Sequence, residues 1–168
     1  GNAQGARDMG CTPAPGGLSG RAMLEAAAGG ALKALYIVGA DVLATADPTL
    51  VANALSRVDV VIVQDMTDRG LPRLPDISLP GFSFAECDGT MTNVERRVQR
   101  VRPALRPGGD MRADWQIIAG VAKAMLGSAA AGWDYRSSAD VFAEITRSVS
   151  AYAGLAYGKL GAGGVRLR

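Results

Sequence analysis

Two sets of polar residues in this chain carry side chains suited to chemistry. The first lies in the dense stretch from Pro80 to Trp115, where Glu86, Asp88, Asn93 and Glu95 are followed by Arg96, Arg97, Arg100, Arg102 and Arg106. In principle the carboxylates and the amide offer an acid, a base and hard oxygens for a cation. Scattered among glycine and threonine, they suit turn-making better: Glu95 is expected to brace the loop against Arg96 or Arg97, and Asn93 to accept a strained backbone. The arginines, with Val98 and Val101 between them, form a local basic patch. Guanidinium forks match phosphate oxygens, and the same face serves equally for contact with an acidic protein surface or for solvation. No aromatic residue interleaves with them, which argues against a stacking platform for single-stranded nucleic acid.

The second set follows two apolar runs. Gly39, Ala40, Asp41 and Thr45 come after Ala34 to Val38, and Gln64 and Asp65 come after Val58 to Val63. If the runs are parallel strands, these residues stand at their carboxyl ends, where open α/β sheets bind ligands. Glycine lets backbone approach a ligand, and a carboxylate accepts paired hydrogen bonds from a base edge or a ribose. The competing reading is structural: Asp41 and Thr45 close a turn, and Asp65 caps the next segment.

The elements that must position these residues are legible from pattern. Ser19 is an N-cap for a helix over Arg21 to Ala28, stopped by Gly29-Gly30. Asp47-Pro48 opens a second helix that runs to about Ser56, with Leu50, Val51, Ala54 and Leu55 on its apolar face. Strand, helix and strand then make a βαβ unit. A third strand is expected at Ile77 to Leu79, reached through a connection that Pro72 and Pro75 keep from being helical. Asp114 to Leu126 reads as a helix with Trp115, Ile118, Ala122 and Met125 facing the sheet and Gly127 as its stop. Ser137-Ser138 caps a last helix through Val149, with Val141, Phe142, Ile145 and Val149 turned inward. Tyr135, Tyr152, Tyr157, Trp115 and Trp133 read as packing residues.

Together these predict α/β: a three-layer α/β/α fold with a short, mostly parallel, dinucleotide-binding-like sheet. A chain of 168 residues supports one domain, here with residues 1–19 as a lead-in loop and 161–168 as a mobile tail. The net charge of +2 favours neither nucleic acid nor an anionic membrane, and no apolar run reaches the roughly 18 residues of a membrane span. With no histidine and only Cys11 and Cys87, the chain has no ligand set for zinc or an iron-sulfur cluster. Both cysteines are expected to be reduced and packed, which points to a cytoplasmic setting. Gly1 to Gly5 lacks the lysine and the preceding strand of a phosphate loop.

Phe84-Ala85-Glu86, Asp88-Gly89-Thr90, Thr92-Asn93, Glu95-Arg96-Arg97, Gln99 and Asp114-Trp115 together resemble the late segment of the molybdopterin oxidoreductase superfamily. The resemblance extends, in order, through Asn2 to Gly10, Tyr36 to Asp41, Val63 to Asp65, Ile77 to Pro80 and Tyr152 to Tyr157. It implies an excised piece of a larger oxidoreductase whose iron-sulfur domains lie upstream. Two branches fit. In one, similar to the large iron-sulfur subunit of NADH-quinone oxidoreductase (complex I), this domain is a scaffold without catalysis of its own in the peripheral arm of a membrane-associated complex. Its partners would be the other proteins of that respiratory complex and upstream domains of its own chain. In the other, similar to formate dehydrogenase α subunits, the domain clasps a molybdopterin guanine dinucleotide. Gly39, Asp41, Thr45, Gln64 and Asp65 are then the cofactor-binding positions that the resemblance implies. Cofactor binders of the family read Gly-Glu-Asn-Pro or Gly-Glu-Asp-Pro at the first turn, whereas this chain reads Gly39-Ala40-Asp41-Val42. That difference, with Pro72 and Pro75, favours the scaffold branch.

Overall fold

The computed structural model describes residues 2–67 and 70–167. Gly1 and Arg168, which belong to the expected lead-in and tail, lie outside the described residues. In chain order the elements are α1 (Ala3–Asp8), α2 (Gly20–Ala28), β1 (Ala34–Val38), α3 (Val42–Thr45), α4 (Pro48–Arg57), β2 (Val60–Asp65) and β3 (Ile77–Pro80). They are followed by β4 (Gly89–Thr92), β5 (Arg97–Val101), α5 (Asp114–Leu126), α6 (Ser138–Ser148) and β6 (Val165–Arg166). The chain divides into two compact units, one made of Pro13–Phe82 with Gly108–Asp114, the other of Gly1–Thr12, Ser83–Pro107 and Trp115–Arg168.

The first unit holds the parallel sheet, in the order β1-β2-β3, with Leu35 beside Val61 and Ile62 beside Ile77. Its helices start where the sequence says. The Ser19 hydroxyl accepts from the Ala22 amide, and Asp47 Oδ1 accepts from the Thr49 and Leu50 amides at 2.9 and 3.1 Å, with Pro48 in the first turn. Alternation along β1 and β2 sends Leu35, Ile37, Val61 and Val63 to one face, where they pack with Leu24 and Ala27 of α2 and Val51, Ala54 and Leu55 of α4.

From β2 to β3 no helix occurs among the described residues, as the prolines require. An arginine holds the connection in place. Arg73 Nη1 donates to the carbonyls of Leu55 and Val58 at 2.7 and 2.8 Å, filling acceptors that the end of α4 leaves open. Its other terminal nitrogen pairs with Asp76 at 2.8 Å, and Asp76 in turn accepts from the Val61 amide at 2.7 Å. That amide bond, followed by the Arg73 hydrogen bond and charge, holds the Asp76 carboxyl below its ordinary range.

The second unit holds an antiparallel sheet, β4-β5-β6, where the sequence pattern leads one to expect loop and tail. Asn93 Oδ1 accepts from the Glu95 and Arg97 amides, both at 3.0 Å, and so closes the β4-β5 hairpin. The left-handed residue of that hairpin is Arg96 (φ 60°), not Asn93. Glu95 is exposed and forms no ion pair with Arg96 or Arg97 among the described residues, so the hairpin is braced by an amide side chain and not by charge. The segment 161–168, expected to be a mobile tail, contributes β6, and Leu167 is buried while its amide donates to the Arg96 carbonyl at 2.8 Å. Within 1–19, expected as loop, α1 forms.

The core of this unit is Val98, Phe142, Tyr152, Leu160 and Leu167, with Ile145 and Val149 of the expected inward face packed against it. Thr92 Oγ1 pairs with the buried Tyr152 hydroxyl at 2.7 Å, and that hydroxyl donates to Asp8 at 3.0 Å. Helix α5 has the expected bounds but a different buried side: Ile117 and Ala119 are inside, while Ile118 and Met125 are exposed. Cys87 donates to the Ser83 carbonyl, but Cys11 is exposed and not packed.

Leu55 is wholly buried, so Leu55→Ala is expected to lower the stability of the parallel unit by about 2–5 kcal/mol, measured by denaturant unfolding. For Asp76, whose folded pKa is depressed, the stabilisation is fully present above the ordinary aspartate value of about 3.9 and is lost as pH falls through the lower folded value. Asp76→Asn should remove that part of the acid sensitivity, read as a flatter dependence of Tm on pH below about 4.

Candidate functional site at the carboxyl ends of the strands

Strands β1 and β2 end together, and the Gly39 amide donates to the Gln64 carbonyl at 2.9 Å. Gly39 has φ +56°, a conformation open to glycine at little cost, and a methyl group placed on its Cα would meet no atom within 4 Å. The backbone turns here, leaving the approach to this corner clear.

Asp41 caps α3. Its Oδ1 accepts from the Ala44 amide at 3.0 Å, and the Thr45 hydroxyl donates to the Asp41 carbonyl at 2.9 Å. Both residues therefore act in the turn, as the structural reading expects, while Thr45 is exposed and Asp41 half-exposed beside Gly39. Asp65 Oδ1 accepts from the Met66 amide at 2.7 Å, and the Asp65 carbonyl accepts from Gly81 at 3.1 Å.

Gln64 is different in kind. Strand alternation puts its side chain on the face opposite Asp65, and it is fully buried. Its Oε1 accepts from the Tyr36 hydroxyl, and its Nε2 donates to Asp114 Oδ1 at 2.8 Å. The side chain is thus committed to internal partners, so a ligand at this edge would meet the backbone of Gln64 and not its amide. Burial, and secondarily the charge of Asp114, raise the Tyr36 hydroxyl above its ordinary pKa. Sequence reasoning misses Tyr36 and Asp114 as partners of Gln64. The available signal is a lone amide at the end of an aliphatic strand, since a buried amide must find partners.

The five proposed positions therefore share one edge but not one cluster. Gly39 touches the Gln64 backbone, Asp41 and Thr45 form a turn, and Gln64 and Asp65 point to opposite faces. Among the described residues no group of three or more His, Cys, Asp and Glu side chains is placed to hold a metal ion. No helix among them is long and apolar enough to cross a membrane.

The arginine patch breaks up in the second unit. The Arg100 guanidinium lies 4.3 Å from the Tyr157 ring centroid and 3.4 Å from Asp88, and Arg97 donates to the Gly163 carbonyl at 3.1 Å. Arg102 and Arg106 alone of the five are exposed.

With this geometry in view, comparison with known proteins gives the family. A family model for molybdopterin oxidoreductase matches residues 2–124. The chain belongs to the molybdopterin oxidoreductase family. It is 39% identical over 140 residues to the F420-dependent formate dehydrogenase 2 subunit alpha of Methanococcus maripaludis, covering 83% of this chain and 20% of that one. It is 34% identical over 149 residues to a putative formate dehydrogenase of Staphylococcus haemolyticus, covering 88% of this chain and 15% of that one. A probable oxidoreductase of Bacillus subtilis is also 34% identical over 149 residues, again with 88% and 15% covered. The chain thus spans a fifth or less of the length of these relatives.

Gln64→Leu leaves the Tyr36 hydroxyl and Asp114 without their shared buried partner and should cost about 1–3 kcal/mol. Tyr36→Phe removes only one of the two bonds and should cost less, on the order of 1 kcal/mol. Urea unfolding of both variants checks the order, and an equal or reversed ranking would show that the amide does not anchor this edge.

Proposed function

We propose that these residues form part of the cofactor-holding region of a molybdenum or tungsten oxidoreductase of the formate dehydrogenase alpha type. The observation that carries this reading is colinear similarity, over more than four fifths of the chain, to a protein named as a formate dehydrogenase subunit alpha and to one named as a putative formate dehydrogenase. Those names favour the enzyme branch over the complex I branch.

The carboxyl edge of the parallel sheet fits the nucleoside part of a pterin guanine dinucleotide in the chemistry of its groups. Gly39 leaves the backbone approachable, and the Asp41 and Asp65 carboxylates are acceptors for the N–H groups of a guanine edge or the hydroxyls of a ribose. Thr45 adds an exposed hydroxyl. None of the five positions is a cation, so the edge fits the base and sugar rather than the pyrophosphate. The bound cofactor would supply the redox chemistry, while these residues would orient its nucleotide end. Iron-sulfur clusters, other domains of the same polypeptide and companion subunits belong to this proposal as neighbours.

The scaffold reading, with NADH as donor and quinone as acceptor for the parent complex, retains one observation in its favour. The turn Gly39-Ala40-Asp41-Val42 lacks the glutamate and proline of cofactor binders, and Asp41 is spent partly on capping α3.

Elemental analysis of the full-length protein separates the two readings. The proposal expects about one molybdenum or tungsten per chain together with releasable guanine nucleotide; iron alone would overturn it. In the full-length protein Asp41→Ala should weaken nucleotide retention about tenfold or more, since a hydrogen bond to a charged group contributes about 1.5–3 kcal/mol.

A further inference from the structure

Polar side chains near the carboxyl ends of the strands form a row across the parallel sheet. Tyr36 of β1 donates through its hydroxyl to Gln64 Oε1 of β2, and Gln64 Nε2 donates to Asp114 Oδ1 at 2.8 Å and to the Asp114 carbonyl at 3.4 Å. Backbone bonds bring Asp114 to this place from 50 residues further along the chain. The Arg112 amide donates to the Pro80 carbonyl and the Phe82 amide to the Arg112 carbonyl, both at 3.0 Å, so Arg112 pairs in parallel with Gly81 just beyond the end of β3.

From there the carboxylate reaches Gln64 across the residue that follows β3, and that residue is a glycine. A methyl group on the Gly81 Cα would stand 2.9 Å from Asp114 Oδ1, closer than van der Waals contact allows. The next nearest atoms, of the Asp65 backbone, would lie at 3.7 and 3.9 Å. Gly81 does not have a positive φ, so its missing side chain serves the passage of this carboxylate and not a left-handed turn. The row holds Gln64 from both sides. The carbonyl of the same Gln64 accepts the Gly39 amide at 2.9 Å, the bond after which β1 turns into Asp41 and Thr45.

We infer that Asp114 is the positioning residue of this edge: by holding Gln64 across Gly81 it fixes the Gly39 turn, and with it the groups that meet the nucleotide. The part that concerns the nucleotide rests on the cofactor-holding reading above, whereas the fixing of the turn does not. Without the carboxylate the buried Nε2 loses its close acceptor, and a buried donor left unsatisfied draws the end of its strand towards water.

Hydrogen exchange at the Gly39 amide of the full-length protein, read beside the guanine nucleotide released on denaturation, tests it. Val51 is the reference: it is fully buried, and its amide donates to the Asp47 carbonyl at 3.0 Å, so it reports global opening. Asp114→Ala is expected to speed exchange at Gly39 about tenfold or more with Val51 within about twofold of wild type, and to weaken nucleotide retention by a similar factor. Gly81→Ala alters neither partner and only displaces the carboxylate, and it is expected to act in the same direction. Asp114→Asn keeps an acceptor in the same place and should bring both readouts to within about threefold of wild type. Unchanged exchange at Gly39 in Asp114→Ala would overturn the inference. So would equal acceleration at Val51, which marks a general loss of stability, or an asparagine variant as loose as the alanine one, which assigns the effect to charge. Faster exchange at Gly39 with nucleotide retention unchanged would overturn the role in binding. Wild-type protein without guanine nucleotide would instead sink the cofactor-holding reading, and the Gly39 amide would still decide whether Asp114 sets the turn.

Discussion

A single buried amide ties together the edge of the parallel sheet. Strand β2 is central, bonded on both sides, and almost wholly aliphatic until Gln64, where a polar side chain enters the interior with no exposure to water. Burying that amide unpaired would cost several kcal/mol on most transfer scales, so its presence demands partners. The chain supplies them from far away in sequence, Tyr36 from the neighbouring strand and Asp114 from the start of α5. The bond from Gly39 to the Gln64 carbonyl then fixes where β1 must turn. The position of Asp41 and Thr45 follows from that turn, because α3 begins directly after it with Asp41 as its cap.

This dependence explains what can be read from the sequence. Caps and strand ends are legible because they are local: Ser19, Asp47-Pro48 and Ser137 act on amides two or three residues away, and each does so in the structure. The strands β1, β2 and β3 are legible as apolar runs between turn residues, and the α/β class follows from them. The antiparallel sheet is not. Strands β4 and β5 are short and polar, GTMT and RVQRV, and β6 has only two residues. Their stability comes from partners remote in sequence, with Val98 buried against Phe142, Tyr152, Leu160 and Leu167. Alternation is present, since Val98 and Arg100 occupy one side of β5, but arginine conceals it.

The arginines show why charge counts alone misread a surface. Five cations close in sequence suggest a patch, yet a strand alternates its faces, and pairing brings each side chain a different neighbour. Arg100 lies over the Tyr157 ring with Asp88 nearby, and Arg97 reaches a carbonyl in the glycine-rich segment before β6. Long arginine stems cover apolar surface while their planar heads find ring faces and carbonyls, so these residues help hold the small core of their own unit. A glycine of that segment has a structural use. At Gly164, with φ +66°, a side chain would collide with the Val98 carbonyl, so close approach of backbone to β5 excludes any larger residue.

The same contrast between local and remote constraint bears on how far the edge of the sheet can be specialised. Gly39 needs its positive φ whether or not a ligand is present, because β1 must turn after its last bond to Gln64. Asp41 serves as a helix cap in either case. A cofactor-binding edge and a scaffold edge therefore share these residues for structural reasons, and the pair does not by itself separate the two. The discriminating groups are those with no structural duty strong enough to retain them. Thr45 is one, since its bond to the Asp41 carbonyl is exposed and is made within a single turn of helix, where a hydroxyl contributes little to stability. A functional claim on this edge is therefore strongest where it rests on exposed polar atoms such as Thr45 Oγ1. It is weakest at Gln64, whose conspicuous amide the fold already consumes.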